Sequence, residues 1–587
     1  MRYPRQAGKT SSSMRKYSRL TIFRLFFIIV GAIFIARLFY VQVLNQQHYK
    51  DIARNEQFKQ LEIEPERGSI YMRNGNDNVA LAVNESRYTV FADSSFIKEP
   101  EQTAKELSPL LGMSENEILL KLSTGSHYEI LMKKASKDVV DKIAGLKLKG
   151  IAWKEVRQRI YPQGEIGSTV LGFVNDEGDG QYGIEGSLNN LLKGKTGSIR
   201  AITDINGVPL VQNKDNVVTP ATPGENIVLS IDQSIQRIAE DRIKEGVEKT
   251  GAKSGSVTIM EVDTGRVAAM ASYPSYAPSD YAKVEDASLF TNKNVSDLIE
   301  PGSIIKTLTT ATALDTGAIS KNTVYFDPGY VQVDDSNITN VLNLGSGDRS
   351  IFDILRYSLN TGAVYMLKQM GGGEINDHAR TTFYTYLTNR FLFDQDPKIE
   401  QQEATKGYVQ PPNEGYGLNV RYADMSFGQG LSMTLQQFSS ALCAVLNGGT
   451  YYQPTLVYGT LNDGVFKEQN PKILRTGAVS QQTSSTIKDF MEEYVNVSIN
   501  EVERKGFVIG GKTGTAQVPR TDGVAGYRDD VYNATFTGFV GKNNPKYLIT
   551  LRLDEGSALS GFSGFTSAKP VFVNIVNDIL DGVPISD

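Results

Sequence analysis

The 587 residues exceed one domain and suit two or three folded units, and 40% hydrophobic with 22% charged residues is a globular balance that excludes a disordered chain or a polytopic membrane protein. A single cysteine, Cys443, excludes an intrachain disulfide and any Cys-rich zinc or iron–sulfur site, and only three histidines (His48, His127, His378) argue against His-centred chemistry. The net charge of -5 is uneven: nine of the 61 basic residues and none of the 66 acidic ones fall in the first 50, so a basic head precedes a mildly acidic body, which argues against nucleic acid as the main partner.

Residues 25–44, LFFIIVGAIFIARLFYVQVL, are long enough to span a hydrocarbon core. Seven basic residues precede them, from Arg2 to Arg24, which predicts a cytoplasmic N-terminus and an extracytoplasmic body. Arg37-Leu38-Phe39-Tyr40 stands where a cleaved signal peptide would carry small residues, so the run reads as an uncleaved anchor. The spacing predicts helices near 101–121 (Ala104, Leu107, Leu111, Ile118) and 137–146, among short strands and the turn-rich segments 74–78 and 175–180. The stretch 204–226 is rich in Pro, Asn and Gly and reads as a linker. After it come an amphipathic helix at about 232–249 and two strands, SVTIMEV and RVAAMASY, joined by Asp263-Thr264-Gly265. Strands at about 507–518, 534–541 and 547–553 and a helix at 570–581 close the chain. The expected fold is α+β, an antiparallel sheet flanked by helices.

Three short motifs carry chemistry. Ser303-Ile304-Ile305-Lys306 follows a Pro-Gly break and opens a helix, so serine and lysine share one face of one turn. The amine of a buried lysine can take the serine's proton, which activates a nucleophile without histidine. The competing reading is a helix cap with a solvated lysine. Ser358-Leu359-Asn360 lies where one helical pattern breaks and another begins; helix capping competes there too. Lys512-Thr513-Gly514-Thr515 sits in a strand-like run where a lysine and two threonine hydroxyls suit a carboxylate. Singly these patterns are common: Ser-x-x-Lys occurs four times, Ser-x-Asn five times and Lys-Thr-Gly three times. Residues 506–513 also match the phosphate-loop pattern G-x-x-x-x-G-K-[ST], but the continuation, with a Pro and two Gly, shows no helical period.

In this order the three motifs resemble those of penicillin-recognising serine acyl enzymes, and nearly the whole chain resembles a class B penicillin-binding protein. Pro65–Ile70 and Arg73-Asn74-Gly75 are similar to the opening of the family's non-catalytic domain, with Met72 where an Asp is usual. Tyr182–Gly186 and Leu192–Gly197 resemble that domain's close. Residues 262–265, 269–274, 427–430 and 434–437 resemble stretches of the transpeptidase domain. The resemblance implies a basic cytoplasmic segment (1–24), an anchor (25–44), an elongated mixed α/β pedestal of dimerisation type (45–225) and a transpeptidase domain (226–587). It implies a plasma (inner) membrane protein with one pass and an extracytoplasmic catalytic domain.

Carried over to these positions, it implies that Ser303 attacks the penultimate D-alanine carbonyl of a peptidoglycan stem peptide while Lys306 acts as base. D-Alanine leaves protonated through Ser358 and Lys512, and Asn360 positions the acyl chain. Lys512, Thr513 and Thr515, with Gly514 between them, hold the terminal carboxylate, and the N–H groups of Ser303 and Thr515 form an oxyanion hole. A neighbouring amine then completes the cross-link, β-lactams trap Ser303, and neither metal nor cofactor takes part. The expected partners are a SEDS-family glycosyltransferase and division or elongation proteins; asparagine at 360 looks more like the division (septal) type. A silent cell-wall scaffold, a β-lactam sensor and a D,D-carboxypeptidase are the competing readings.

Overall fold

The computed structural model describes residues 19–50, 58–202, 217–502, 504–520 and 526–585. The chain divides into two compact units, Met1–Pro65 with Lys195–Thr222, and Glu66–Gly194 with Pro223–Asp587. In the first unit a helix spans Arg19–Phe39 and continues as a π-helical turn over Tyr40–Leu44. It starts six residues before the apolar run and takes in Arg19 and Arg24; from Arg19 to Leu44 it is long and apolar enough to cross a membrane. The same unit holds an antiparallel sheet in the order Phe58–Ile63, Gly197–Ile202, Val217–Thr219. That last strand belongs to the linker-like stretch, of which 204–216 lie outside the described residues.

In the second unit, the helix expected over 101–121 is two helices, Pro100–Leu111 and Glu115–Leu122. Gly112 ends the first at φ +65°, and Ser114 and Glu117 open the second with a reciprocal capping box. Their apolar faces, with Val140 and Ile143 of the helix Lys137–Leu146, close a small separate core. The opening and closing motifs of this half meet in space. Arg67 donates from Nε (2.8 Å) and Nη2 (2.5 Å) to Glu185 Oε2, and Arg159 Nε donates to Glu185 Oε1 at 2.7 Å. Asn189 and Asn84 accept from the two guanidinium groups, and Glu185 is fully buried. Met72 is also fully buried, in the main apolar core, so an apolar residue fits at this position.

No seam separates the two halves within this unit. A seven-stranded sheet runs Val465–Glu468, Val457–Asn462, Ile227–Asp232, Ile70–Asn74, Asp77–Ala92, Glu129–Ala135, with Ile151–Ile160 also on Asp77–Ala92. Ile227–Asp232 pairs in parallel with Ile70–Asn74, so strands from both halves share one ladder. Gln401 adds a cross-link: its Nε2 donates to Val170 O (2.9 Å) while Asn292 Nδ2 donates to its Oε1 (3.2 Å). Residues 374–418, which carry no readable motif, serve as scaffold here, burying Phe383, Phe391 and Phe393 completely.

The site rests on a five-stranded sheet with helices on both faces. Its elements are α1 (Gln233–Thr250), β1 (Ser254–Glu261), β2 (Val267–Tyr273), α2 (Lys306–Asp315), α3 (Asn360–Met370), α4 (Leu435–Leu446), α5 (Gln481–Ser498), β3 (Val508–Pro519), β4 (Tyr527–Gly541), β5 (Pro545–Ser557) and α6 (Lys569–Gly582). The strand order is β2-β1-β5-β4-β3, antiparallel throughout. Alternation along the strands sorts side chains between two cores: Val257, Ile259, Ile549 and Leu551 face α1 and α6, whereas Met260 and Leu548 join the core of α2 and α4. Every residue of α4 is buried, Cys443 among them, and burial pushes its thiol up, away from reactivity. The α+β expectation holds; β4 begins seven residues earlier than its apolar run suggests, because Tyr527–Asn533 extend it as polar ladder.

Replacing Glu185 with Ala leaves two buried arginines without a counter-charge. The expected loss is about 3–5 kcal/mol, seen as a lowered unfolding midpoint of the detergent-solubilised chain. An unchanged midpoint would show that the cluster does not hold this half together.

Candidate active site

The chain approaches Ser303 through a turn that only glycine allows. Gly302 has φ +60°, donates its N–H to Gly428 O (3.1 Å), and a Cβ there would lie 2.7 Å from Thr515 O on β3. Gly428, at φ +102°, would place a Cβ 2.1 Å from Gly302 O. The turn is thus pressed between the loop after Phe427 and β3. Gly302–Ile305 form a 3₁₀ turn that runs into α2. Three residues per turn eclipse i and i+3, and this places Lys306 Nζ 3.0 Å from Ser303 Oγ.

Lys306 is fully buried, which rules out the cap-with-solvated-lysine reading. Its neighbours on α2 are threonines whose hydroxyls are spent locally: Thr307 donates to Ile304 O and Thr310 to Lys306 O, both at 2.7 Å. Around Nζ stand Ser358 O (2.7 Å), Asn360 Oδ1 (2.8 Å) and Ser358 Oγ (3.3 Å). Desolvation, reinforced by the positive charge of Lys512, pushes the Lys306 amine well below the usual lysine range. A neutral amine has two N–H bonds and one lone pair. Ser358 O and Asn360 Oδ1 can only accept, so they take both N–H bonds and leave the lone pair for a serine hydroxyl.

Ser358 does not cap α3. It has φ +56°, a left-handed conformation costing a non-glycine residue about 1–3 kcal/mol. Leu359 pins it from one side, fully buried, with its N–H on Ile354 O at 3.0 Å. The conformation leaves the Ser358 carbonyl on Lys306 and its hydroxyl between two amines, since Lys512 Nζ donates to the same Oγ at 3.3 Å. Lys512 also donates to Thr513 O (2.8 Å), and burial pushes its amine down to about 7.

The phosphate-loop match fails structurally, because residues 508–519 are one continuous strand with no helix opening after Lys512. As the edge strand, β3 turns the N–H and C=O groups of alternate residues away from β4. Gly514 lets it approach the Ser303 turn, since a Cβ there would stand 3.0 Å from Ile304 Cγ2 and 3.1 Å from Ile304 N. Thr513 is half-buried with its hydroxyl 3.0 Å from Tyr494 OH on α5; Thr515 is exposed, its hydroxyl accepting from Gly564 N at 3.0 Å. Ser303, Lys306, Ser358, Asn360 and Lys512 therefore form one hydrogen-bonded network. Thr513, Gly514 and Thr515 border it through the backbone of β3 and share no hydrogen bond with Ser303.

Sequence reasoning did not find several supports. Tyr494 holds Thr513 and stands 5.4 Å (ring centroid) from the Lys512 amine. Glu300 Oε1 accepts from Gly430 N (2.9 Å) and Tyr527 OH (3.2 Å) and fixes the start of the turn. Thr339 O accepts from Asn360 Nδ2 at 3.0 Å. The glycines of Phe427–Gly430 were the one visible signal; the others have no local pattern.

A serine and a buried lysine on one turn, a second serine between two lysines, and an open strand edge beside them define a serine acyl-transfer fold and site. The family model described as the penicillin binding protein transpeptidase domain matches residues 255–578, and that of the penicillin-binding protein dimerisation domain matches 62–229. The chain belongs to the penicillin-binding protein transpeptidase family, and the pairing of these two domains makes it a class B member. Stage V sporulation protein D of Bacillus subtilis (strain 168) is 30% identical over 577 residues, covering 97% of this chain and 86% of that protein. The peptidoglycan D,D-transpeptidase FtsI homolog of Mesostigma viride is 28% identical, covering 96% of both chains. The crystal structure of penicillin binding protein 2X from Streptococcus thermophilus shares the fold, with a TM-score of 0.72 at 22% identity over 89% of this chain and 80% of that one.

Lysine-selective NMR over a pH series is expected to show one resonance titrating near pH 7, lost in Lys512→Met. A second, lost in Lys306→Met, is expected to stay neutral well below the ordinary lysine range. Two lysines titrating near 10.5 would contradict the buried, uncompensated geometry.

Proposed function

We propose that this chain is a membrane-anchored D,D-transpeptidase that cross-links peptidoglycan stem peptides through a Ser303 acyl-enzyme, in septal synthesis. The observation that carries it is the Lys306 amine, buried beside Ser303 with both of its N–H bonds already committed. Ser303 Oγ attacks the penultimate D-alanine carbonyl and its proton passes to Lys306. The N–H groups of Ser303 and Thr515 stabilise the oxyanion, a kind of contribution usually large in acyl transfer. D-Alanine leaves as an amine protonated through Ser358, which Lys512 supplies. An amine from a neighbouring stem attacks the ester and gives up a proton through Ser358 to Lys512, while Lys306 returns its proton to Ser303 Oγ as the ester C–O bond breaks. Lys512, Thr513 and Thr515 receive the substrate carboxylate, and Asn360 faces the acyl chain.

We assign residues 1–24 to the cytoplasm, 25–44 to the membrane, 45–225 to the pedestal and 226–587 to the transpeptidase domain. The matched ranges 62–229 and 255–578 support the last two. The cluster of seven basic residues before the apolar run supports an inside N-terminus. A SEDS-family glycosyltransferase is the proposed partner, met through the anchor and pedestal. The septal assignment rests on asparagine at 360. A sporulation role is the second reading, supported by the 30% identity to stage V sporulation protein D.

Membranes carrying the protein are expected to label covalently with a fluorescent penicillin, and Ser303→Ala to abolish the label; persistent labelling would overturn the acyl-enzyme. Acylation needs neutral Lys306, so its rate should rise with pH through that group's titration. Asn360→Asp puts a carboxylate 2.8 Å from Nζ, which favours the ammonium and moves the acidic limb to higher pH. Acylation at neutral pH should slow at least roughly tenfold; an unmoved limb would remove Lys306 as the base. A tagged copy is expected at mid-cell in dividing cells, and signal confined to the side wall or to a developing spore would replace the septal assignment.

A further inference from the structure

We propose that Asp327 and Asn340 are positioning residues that fix which way the Asn360 carboxamide faces, and so keep the Lys306 lone pair on Ser303. This rests on Lys306 being the base. An amide can present either its oxygen or its NH₂ to a neighbour, and the two ends differ little in size. If the NH₂ of Asn360 faced Lys306, the amine's lone pair would accept from it and be lost to Ser303. The orientation of one amide therefore decides whether the base is aimed.

What sets that orientation is Thr339 O, an acceptor only, 3.0 Å from Asn360 Nδ2. Thr339 ends the strand Ser336–Thr339 of a small two-stranded hairpin and is itself exposed. The residue after it is held by three hydrogen bonds. Asn340 Oδ1 accepts from Thr361 N (3.1 Å) and Thr361 Oγ1 (3.0 Å), at the first turn of α3 beside Asn360. Asn340 Nδ2 donates to Asp327 Oδ2 at 3.0 Å. Asp327 is 1% exposed, and its other oxygen accepts from Gly329 N at 2.9 Å. A carboxylate cannot donate, so Asp327 fixes the sense of the Asn340 amide, which then has only its oxygen to offer Thr361.

The chain Asp327, Asn340, Thr361 and Thr339, Asn360, Lys306 runs without a reversible link. Its far end is buried, and none of its members belongs to the three motifs except Asn360 and Lys306. Neither Asp327 nor Asn340 touches Ser303, Lys306 or Lys512. The groups that face the Lys306 amine are Ser303 from its own turn, Ser358 and Asn360 from the entry to α3, and Lys512 from β3. None is a carboxylate, and Lys512, the one other titrating group, is unchanged in every variant below, so a shift of the limb between variants reads the Asn360 orientation.

The test is the pH profile of Ser303 acylation by a fluorescent penicillin, per titrated site, in the full-length protein. Asp327→Asn alone and Asn340→Asp alone each break donor–acceptor matching. Each is expected to slow acylation about tenfold or more and to move the acidic limb to lower pH, because a flipped Asn360 stabilises the neutral amine. The exchange Asp327→Asn with Asn340→Asp restores one donor and one acceptor in reverse order, still offers oxygen to Thr361, and is expected to recover rate and limb. If a single variant folds too poorly to titrate, the milder Asn340→Ser carries the comparison. Single variants with a wild-type limb, or an exchange that recovers thermal stability without rate or limb, would overturn the proposal. Lys306→Ala separates the two levels: if it acylates normally the base assignment itself fails, whereas its loss with unmoved Asp327 and Asn340 profiles refutes only the positioning chain.

Discussion

Two lysine amines lie in the protein interior, joined through one serine hydroxyl, and among the described residues neither hydrogen-bonds to a carboxylate. Burying an ammonium costs several kcal/mol even after relaxation, so such a pair persists by giving up charge. The surroundings follow from that. The groups around Lys306 are carbonyl, amide and hydroxyl, which can satisfy a neutral amine without holding it protonated. Thr307, Thr310 and Thr312 return their hydroxyls to carbonyls one turn back and Thr309 donates to Ser426 O, so a polar sequence is buried without orphaned groups. Asparagine in place of aspartate at 360 belongs to the same economy, since a carboxylate there would recharge the base.

Close backbone approach is the second constraint. The Ser303 turn fits only because Gly302, Gly428 and Gly514 lack a Cβ, and Gly564 lies close to Gly514 on its other side. The left-handed Ser358 adds local strain at the point where its carbonyl meets Lys306. Strain and glycine both reduce stability, and they are offset by the fully buried α4 behind the site and the dense cores on either face of the sheet.

Much of this was readable in the chain. Helical and strand periods gave the outer elements to within a few residues, because α1 and α6 bury one face each and β1 and β2 are short runs buried on both faces. The three motifs were legible because each is local, within one turn or one strand. What escaped was non-local or cancelled locally. Gly112 splits one apparent helix into two while keeping its apolar register. Tyr494, Asn340 and Thr339 act through partners 19 to 21 residues away, with no motif of their own. Residues 374–418 carry no readable period because only the short helix Asp377–Thr385 buries Phe383, while Phe391 and Phe393 follow the π-helical turn Tyr386–Arg390.

The shared seven-stranded sheet bears on the order of assembly. Ile70–Asn74 has Ile227–Asp232 as its parallel neighbour, and that strand in turn pairs with Val457–Asn462. A chain delivered from its N-terminus exposes residue 70 long before residue 457. Ile227–Asp232, once paired with Ile70–Asn74, therefore waits with its other edge open, and closing that edge means ordering a very long intervening loop. The late β-strands near residue 460 act as the closing stitch for the first half, and an interrupted chain presents a bare strand edge of the kind that recruits other chains.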